Sequence, residues 1–156
     1  MVGGVNYHIS NFNDGTADKL GELFNKNNSD KANNENKPRF HNYHFVYNSI
    51  FKQLGIDNSL NILEIGLGTN DINVASNMGE NGTPGASIKA LKEFLPNANL
   101  YGADVDKNIL FQEERIKTCY VDQMNEKSFV NKSLHLPESC GRPAHSAGRW
   151  ARPSQS

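Results

Sequence analysis

At 156 residues the chain is long enough for one domain with a real core and too short for several. Its formal net charge of −1 offers no basic field to nucleic acid or anionic lipid, and no stretch approaches the roughly 18 apolar residues that cross a bilayer. The N-terminus has no basic flank leading into an apolar run, so the expectation is a soluble cytoplasmic protein without nucleic-acid or membrane partners. A hydrophobic fraction of 37% and a mean hydropathy of −0.64 imply that a good part of the chain is solvated loop. Cys119 and Cys140 form neither a disulfide framework nor a metal pattern, and Cys119 reads as a small core residue.

Residues 1–15 read as loop or frayed end. A helix is predicted from about Thr16, with Leu20, Leu23 and Phe24 on one face, Asp18 in the first turn and Lys26 in the last. From Asn25 to Lys37 almost nothing is apolar, which predicts a mobile loop. Tyr43, Val46, Tyr47, Ile50, Phe51 and Leu54 then recur at helical steps before Gly55, giving an amphipathic helix whose apolar stripe should lie on the face of a sheet. His41 and His44 flank its start, as packing residues or as ligand contacts.

Asn61–Ile65 is a short apolar run of the kind found in strands buried on both faces. Gly66-Leu67-Gly68 ends it, and the polar loop from Thr69 to Pro84 exceeds the usual connection of about 2–6 residues, so it should be functional or disordered. A helix follows over Gly85–Leu95, with Ile88, Leu91, Phe94 and Leu95 inward and Pro96 as its stop. Leu100–Asp104 is the next strand. Ile109–Phe111 suggests a helical turn, Lys117–Val121 a third strand closing at Asp122, and Asn125–Leu134 the start of another helix.

Strand, glycine turn, helix and acid-tipped strand make one βαβ unit of an α/β fold, a Rossmann-like doubly wound parallel sheet. Glycines at the strand end admit a ligand that a Cβ would push away. The helix opening at Gly85-Ala86-Ser87 should present free N–H groups to a carboxylate or phosphate, and Asp104 can accept both hydroxyls of a ribose. The pattern departs from a dinucleotide site, because the third glycine of Gly-x-Gly-x-x-Gly is missing. Glu64, two residues before the first glycine, suits a positively charged ligand instead.

Leu63-Glu64-Ile65-Gly66-x-Gly68 resembles the first motif of class I S-adenosylmethionine-dependent methyltransferases. Gly85-Ala86-Ser87 with Phe94-Leu95-Pro96-Asn97-Ala98-x-Leu100-Tyr101-Gly102-Ala103-Asp104-Val105-Asp106 resembles, more narrowly, the macrocin O-methyltransferase-like group, which methylates sugar hydroxyls. Ser29-Asp30-Lys31 and His41-Asn42-Tyr43 resemble that group's N-terminal segment, and Val121-Asp122-Gln123 its third-strand end. The resemblance implies S-adenosylmethionine as cofactor and a glycoside-type acceptor. It implies that Glu64, Gly66 and Gly68 line the methionine moiety, that Ser87 holds its carboxylate, and that Asp104 binds the ribose hydroxyls. Asp122 or a neighbour would reach the adenine amino group, with Asp106 the lesser ribose candidate. Mg2+ would belong to a full-length parent, since the family's metal ligands and catalytic base come from the fourth strand onward.

After Leu134 the sequence has neither Asn nor Lys, and Arg142, Arg149 and Arg152 are three of its five arginines. The expected organisation is therefore an N-terminal helix and mobile loop over 1–40, a partial cofactor-binding domain over 41–133, and a tail over 134–156. That tail would be either frameshifted, non-native sequence or natural disorder. His135, Cys140 and His145 fit no zinc spacing. Such a chain should bind cofactor but be catalytically inert by itself. The alternative is a non-catalytic nucleotide-binding or protein-interaction module, and a homo-oligomer stays open.

Overall fold

A computed structural model of the chain describes residues 15–33, 41–74 and 77–125. The expectations for the first 14 residues, for a helix over 125–134, for Cys140, His135 and His145, and for the tail lie outside these residues. Among the described residues, helices α1 (Thr16–Lys26) and α2 (Tyr43–Leu54) precede β1 (Asn61–Ile65), α3 (Ala86–Phe94) and β2 (Asn99–Asp104). A 3-10 turn at Lys107–Ile109 leads to β3 (Gln112–Glu113) and β4 (Ile116–Tyr120). The sheet order is β1-β2-β4-β3: β1, β2 and β4 run parallel and the short β3 is antiparallel to β4. No helix among the described residues is long and apolar enough to cross a membrane.

The core forms where the helices meet β2 and β4. Leu20 and Phe24 of α1, Ile88 and Phe94 of α3, Leu95, Leu100 and Ile116 are all sealed from solvent. The inward face expected of α3 is the one observed, and Gly55, at φ 84, ends α2 in a backbone conformation that favours glycine. Aromatic rings link the three helices, with Phe24–Tyr47 centroids 6.1 Å apart and Phe51–Phe94 centroids 6.3 Å apart.

Two expectations are overturned. Among the described residues β1 is not covered on both faces: it is the edge strand of their sheet, and Leu63 and Ile65 are 51% and 41% exposed. A five-residue apolar run looks the same at an edge as in the middle of a sheet, because pairing partners are set by topology. The stripe of α2 is also divided. Tyr47 and Phe51 turn inward with His44 and Asn48, while Tyr43, Val46, Ile50 and Leu54 are exposed. The reason lies on α1, where Gly21 leaves room for the His44 ring; a Cβ there would come within 3.1 Å of it. α2 thus packs on α1 with a face rotated from the most apolar one.

The segment after α1 is a turn, as expected of a loop, yet Ser29 and Ala32 within it are buried and Ala32 joins the core. Cys119 is half-buried with a free thiol. The β3–β4 turn contains Arg115 at φ 62, and its guanidinium donates to the carbonyls of Lys92 (2.8 Å), Leu95 (2.9 Å) and Ala98 (3.1 Å). A cation therefore caps the carbonyl end of α3, where a helix favours positive charge.

Candidate functional site

The chain turns sharply as it leaves β1. Gly66 and Gly68 have φ of 86 and 83, values that side-chain-bearing residues rarely adopt. Between them Leu67 is buried and anchors the turn three ways. Its N–H donates to Asp104 Oδ2 at 2.7 Å, its carbonyl accepts from the Gly85 N–H at 2.8 Å, and its side chain lies over Gly102. A Cβ on Gly102 would sit 2.7 Å from the Leu67 methyl, so the β2 glycine exists for this approach. The long loop beyond is built rather than loose among its described residues. Thr69 donates through its hydroxyl to Asp106 and through its carbonyl receives the Met78 N–H at 2.8 Å, while Asn28 reaches across to Thr83 Oγ1 at 2.7 Å.

Two cavities meet at this turn, and Ile65 and Gly66 line both. The first, about 330 Å³, separates α2 from β1: Tyr47 and Phe51 stand across from Ile62 and Glu64, with Ser87 and Lys31 on its wall. This gap replaces the helix-on-sheet packing expected of α2. The second, about 300 Å³, is bounded by Gly68, Thr69, Asp104, Val105, Val121 and Gln123. Among the described residues nothing lies within 4 Å of where a Gly66 Cβ would be, so the passage between the two cavities it lines is open there.

Glu64 occupies the first cavity in an uneven state. Its Oε1 accepts the Ser87 hydroxyl and lies 4.0 Å from Lys31 Nζ; its Oε2 is buried and has no hydrogen-bond partner among the described residues. Burial pushes the Glu64 pKa above the ordinary carboxylate value, against the opposing pull of Ser87 and Lys31. A buried carboxylate with one orphaned oxygen is a receptor for a donor, best a cationic one.

Asp104, also buried, has one oxygen on the Leu67 N–H and the other on the Asp106 N–H at 2.9 Å. It also lines the second cavity. Asp106, past the strand end, is held by Thr69 and by the Asn108 N–H at 2.9 Å, and these bonds lower its pKa. Asp122 turns its carboxylate to the Met124 N–H at 3.0 Å, and it is its neighbours Val121 and Gln123 that reach the cavity wall.

The opening of α3 differs from expectation at its first two N–H groups and at the Ser87 hydroxyl. The Gly85 N–H is taken by Leu67 and the Ala86 N–H by the Thr83 carbonyl at 3.1 Å, and the Ser87 hydroxyl faces Glu64. These groups are therefore not free for an anion. His41 is exposed and stacked on Tyr43, and His44 is buried against α1; neither lines either of these two cavities. The sequence singles out neither Lys31 nor Leu67 by itself; the resemblance of Ser29-Asp30-Lys31 to a family segment points near the first, and Gln123 is the neighbour of Asp122 that the expectation for the adenine allows. Among the described residues no three His, Cys, Asp or Glu side chains converge on a metal position.

A largely parallel sheet with a glycine turn after its first strand and an acid closing its second is a Rossmann-like arrangement. The solved structures it resembles include three of MycE, a methyltransferase from the mycinamycin biosynthetic pathway. One, in complex with Mg and SAH, superposes with a TM-score of 0.57 at 24% identity, over 76% of this chain and 28% of that one. Another, with Mg, SAH and mycinamycin VI, gives 0.56 at 23%, over 76% and 28%. The chain thus spans about a quarter of the length of these structures, and at such identities the likeness is one of fold. No protein-family model matches the sequence, and no curated protein matches it significantly.

Proposed function

We propose that this chain carries the S-adenosylmethionine-binding part of an O-methyltransferase acting on a sugar or glycoside hydroxyl. The observation that carries the reading is a pair of carboxylates on either side of Gly66: Glu64, with its orphaned oxygen, in one cavity, and Asp104 on the wall of the other. A ligand with an ammonium, a sulfonium and no phosphate complements such a trough, whereas a pyrophosphate would meet two anions. Glu64, Gly66 and Gly68 would then flank the methionine moiety, Asp104 the ribose and Gln123 the base.

The likeness to MycE, crystallised with SAH and mycinamycin VI, supports this cofactor and a sugar-bearing acceptor. Those structures also hold Mg; no three His, Cys, Asp or Glu side chains converge among the described residues of this chain, and the reading routes no step through a metal. Methyl transfer requires the acceptor in line with the sulfonium methyl and a base for its proton. The described residues supply neither in this reading, and the polypeptide by itself transfers no methyl group.

Calorimetric titration of the full chain tests the reading. S-adenosylmethionine and its homocysteine product should bind, and NAD and ATP should bind far more weakly. Tight NAD or ATP binding without the other two would instead identify a general nucleotide-binding module. Turnover in a labelled-methyl assay over a panel of glycosides would overturn the inert part of the proposal.

A further inference from the structure

The turn between α1 and α2 delivers one cation to the first cavity, and its backbone is held on both sides. Ser29 and Ala32 are buried, and the Ser29 N–H donates to the Phe24 carbonyl at 2.8 Å. The carbonyls of Asp30 and Lys31 accept from the N–H groups of His41 (2.7 Å) and His44 (3.2 Å), at the start of α2. With the main chain clamped this way, the Lys31 side chain lies along the cavity wall and only 24% of it is exposed.

Its ammonium is poorly matched there. Nζ stands 4.0 Å from Glu64 Oε1 and 3.8 Å from Asp30 Oδ1, both beyond hydrogen-bonding distance. Lys31 is the one cationic residue on that wall among the described residues. Three donors nearby are already engaged: the Ser87 hydroxyl by Glu64, and the Gly85 and Ala86 N–H groups by Leu67 and Thr83. An under-coordinated cation thus faces a carboxylate whose second oxygen is orphaned, in a half-enclosed space where charges interact more strongly than in water.

We propose that Lys31 binds the carboxylate of an α-amino-acid head group whose ammonium is received by Glu64, so that the two residues together read a zwitterion. An α-amino acid carries both charges on one carbon, and a cation and an anion side by side on the wall of one cavity are its complement. This rests on the cofactor reading and refines it: the carboxylate role passes from Ser87 to Lys31, and Ser87 holds Glu64 in place.

The test titrates the full chain and its Lys31→Gln and Lys31→Arg variants with S-adenosylmethionine and with its decarboxylated analogue. Lys31→Gln should weaken the intact cofactor roughly 10- to 100-fold, the size of a charged hydrogen bond, and leave the decarboxylated analogue unchanged. Lys31→Arg should keep most of the affinity. Equal losses for both ligands, no loss at all, or tighter binding of the intact cofactor would each overturn the assignment, the last by showing that Lys31 merely occupies the ammonium's place. If the unmodified chain binds neither ligand, the cofactor reading itself fails. If it binds and Lys31→Gln changes nothing, only the role of Lys31 is lost.

Discussion

The Leu67 amide donates to the Asp104 carboxylate across 2.7 Å, and this bond ties the turn after β1 to the tip of β2. Asp104 is therefore structural before it is anything else, since its other oxygen holds the Asp106 N–H. Asp104→Asn keeps the shape but replaces one acceptor with an NH2 that must point at a backbone N–H. The expected cost is about 1–3 kcal/mol of stability, the usual penalty for a buried donor left facing a donor. It should appear as a lower urea midpoint at unchanged slope. An unchanged midpoint would show that Asp104 serves only a ligand.

That dual role explains what the sequence could and could not disclose. Gly66, Gly68 and Asp104 were legible because a glycine turn and an acid-tipped strand have a characteristic order along the chain. Leu67 was not, because its importance comes from contacts with Gly85, Gly102 and Asp104, all distant in sequence. Lys31 was hidden for another reason. Its segment is polar throughout, and the two small residues that bury its flanks, Ser29 and Ala32, leave no hydropathy signal. The two-residue β3 and the capping of α3 by Arg115 are likewise long-range features on short segments.

Ile50 and Phe51 sit side by side on α2 with equal claim to the core by periodicity, yet Ile50 is 46% exposed and Phe51 7%. Phe51→Ala should cost about 3–5 kcal/mol, through lost contact with the ring of Phe94 and the cavity left behind. Ile50→Ala should stay within about 0.5 kcal/mol, as exposed substitutions do. Chemical denaturation of the two variants decides it. Similar large losses would mean that the outer face of α2 is covered after all.

Gly66→Ala separates folding from binding. The new methyl meets nothing within 4 Å among the described residues, so the folding cost is that of the left-handed backbone, about 1–2 kcal/mol. The same methyl would stand in the passage shared by both cavities. Overlap with a ligand spanning them should cost a further 1–3 kcal/mol or so, about tenfold or more in affinity for S-adenosylmethionine. A variant that binds as tightly as the parent would show that no ligand bridges the two cavities.

Glu64→Gln should move stability and binding in opposite directions. Burial raises the Glu64 pKa above its unfolded value, so between those two values the folded state holds more protons than the unfolded one. Stability from this group is therefore greatest below the unfolded value, falls as pH rises through the window, and levels off above the folded value. Asp106 and Glu93 act the other way: hydrogen bonds, to Thr69 for one and to Lys26 for the other, lower their pKa. Their contribution is present above their ordinary values and lost as pH falls through the lowered ones. Both persist in the variant, so the difference between parent and variant isolates Glu64. Thermal unfolding from acid to neutral pH should show the variant gaining on the parent as pH rises across the Glu64 window. Affinity for S-adenosylmethionine should fall by roughly tenfold or more, since a neutral amide replaces the anion that receives the ammonium. Parallel stability curves for the two proteins would mean that the Glu64 carboxylate is no costlier folded than unfolded, and would remove the physical ground for treating its orphaned oxygen as a receptor.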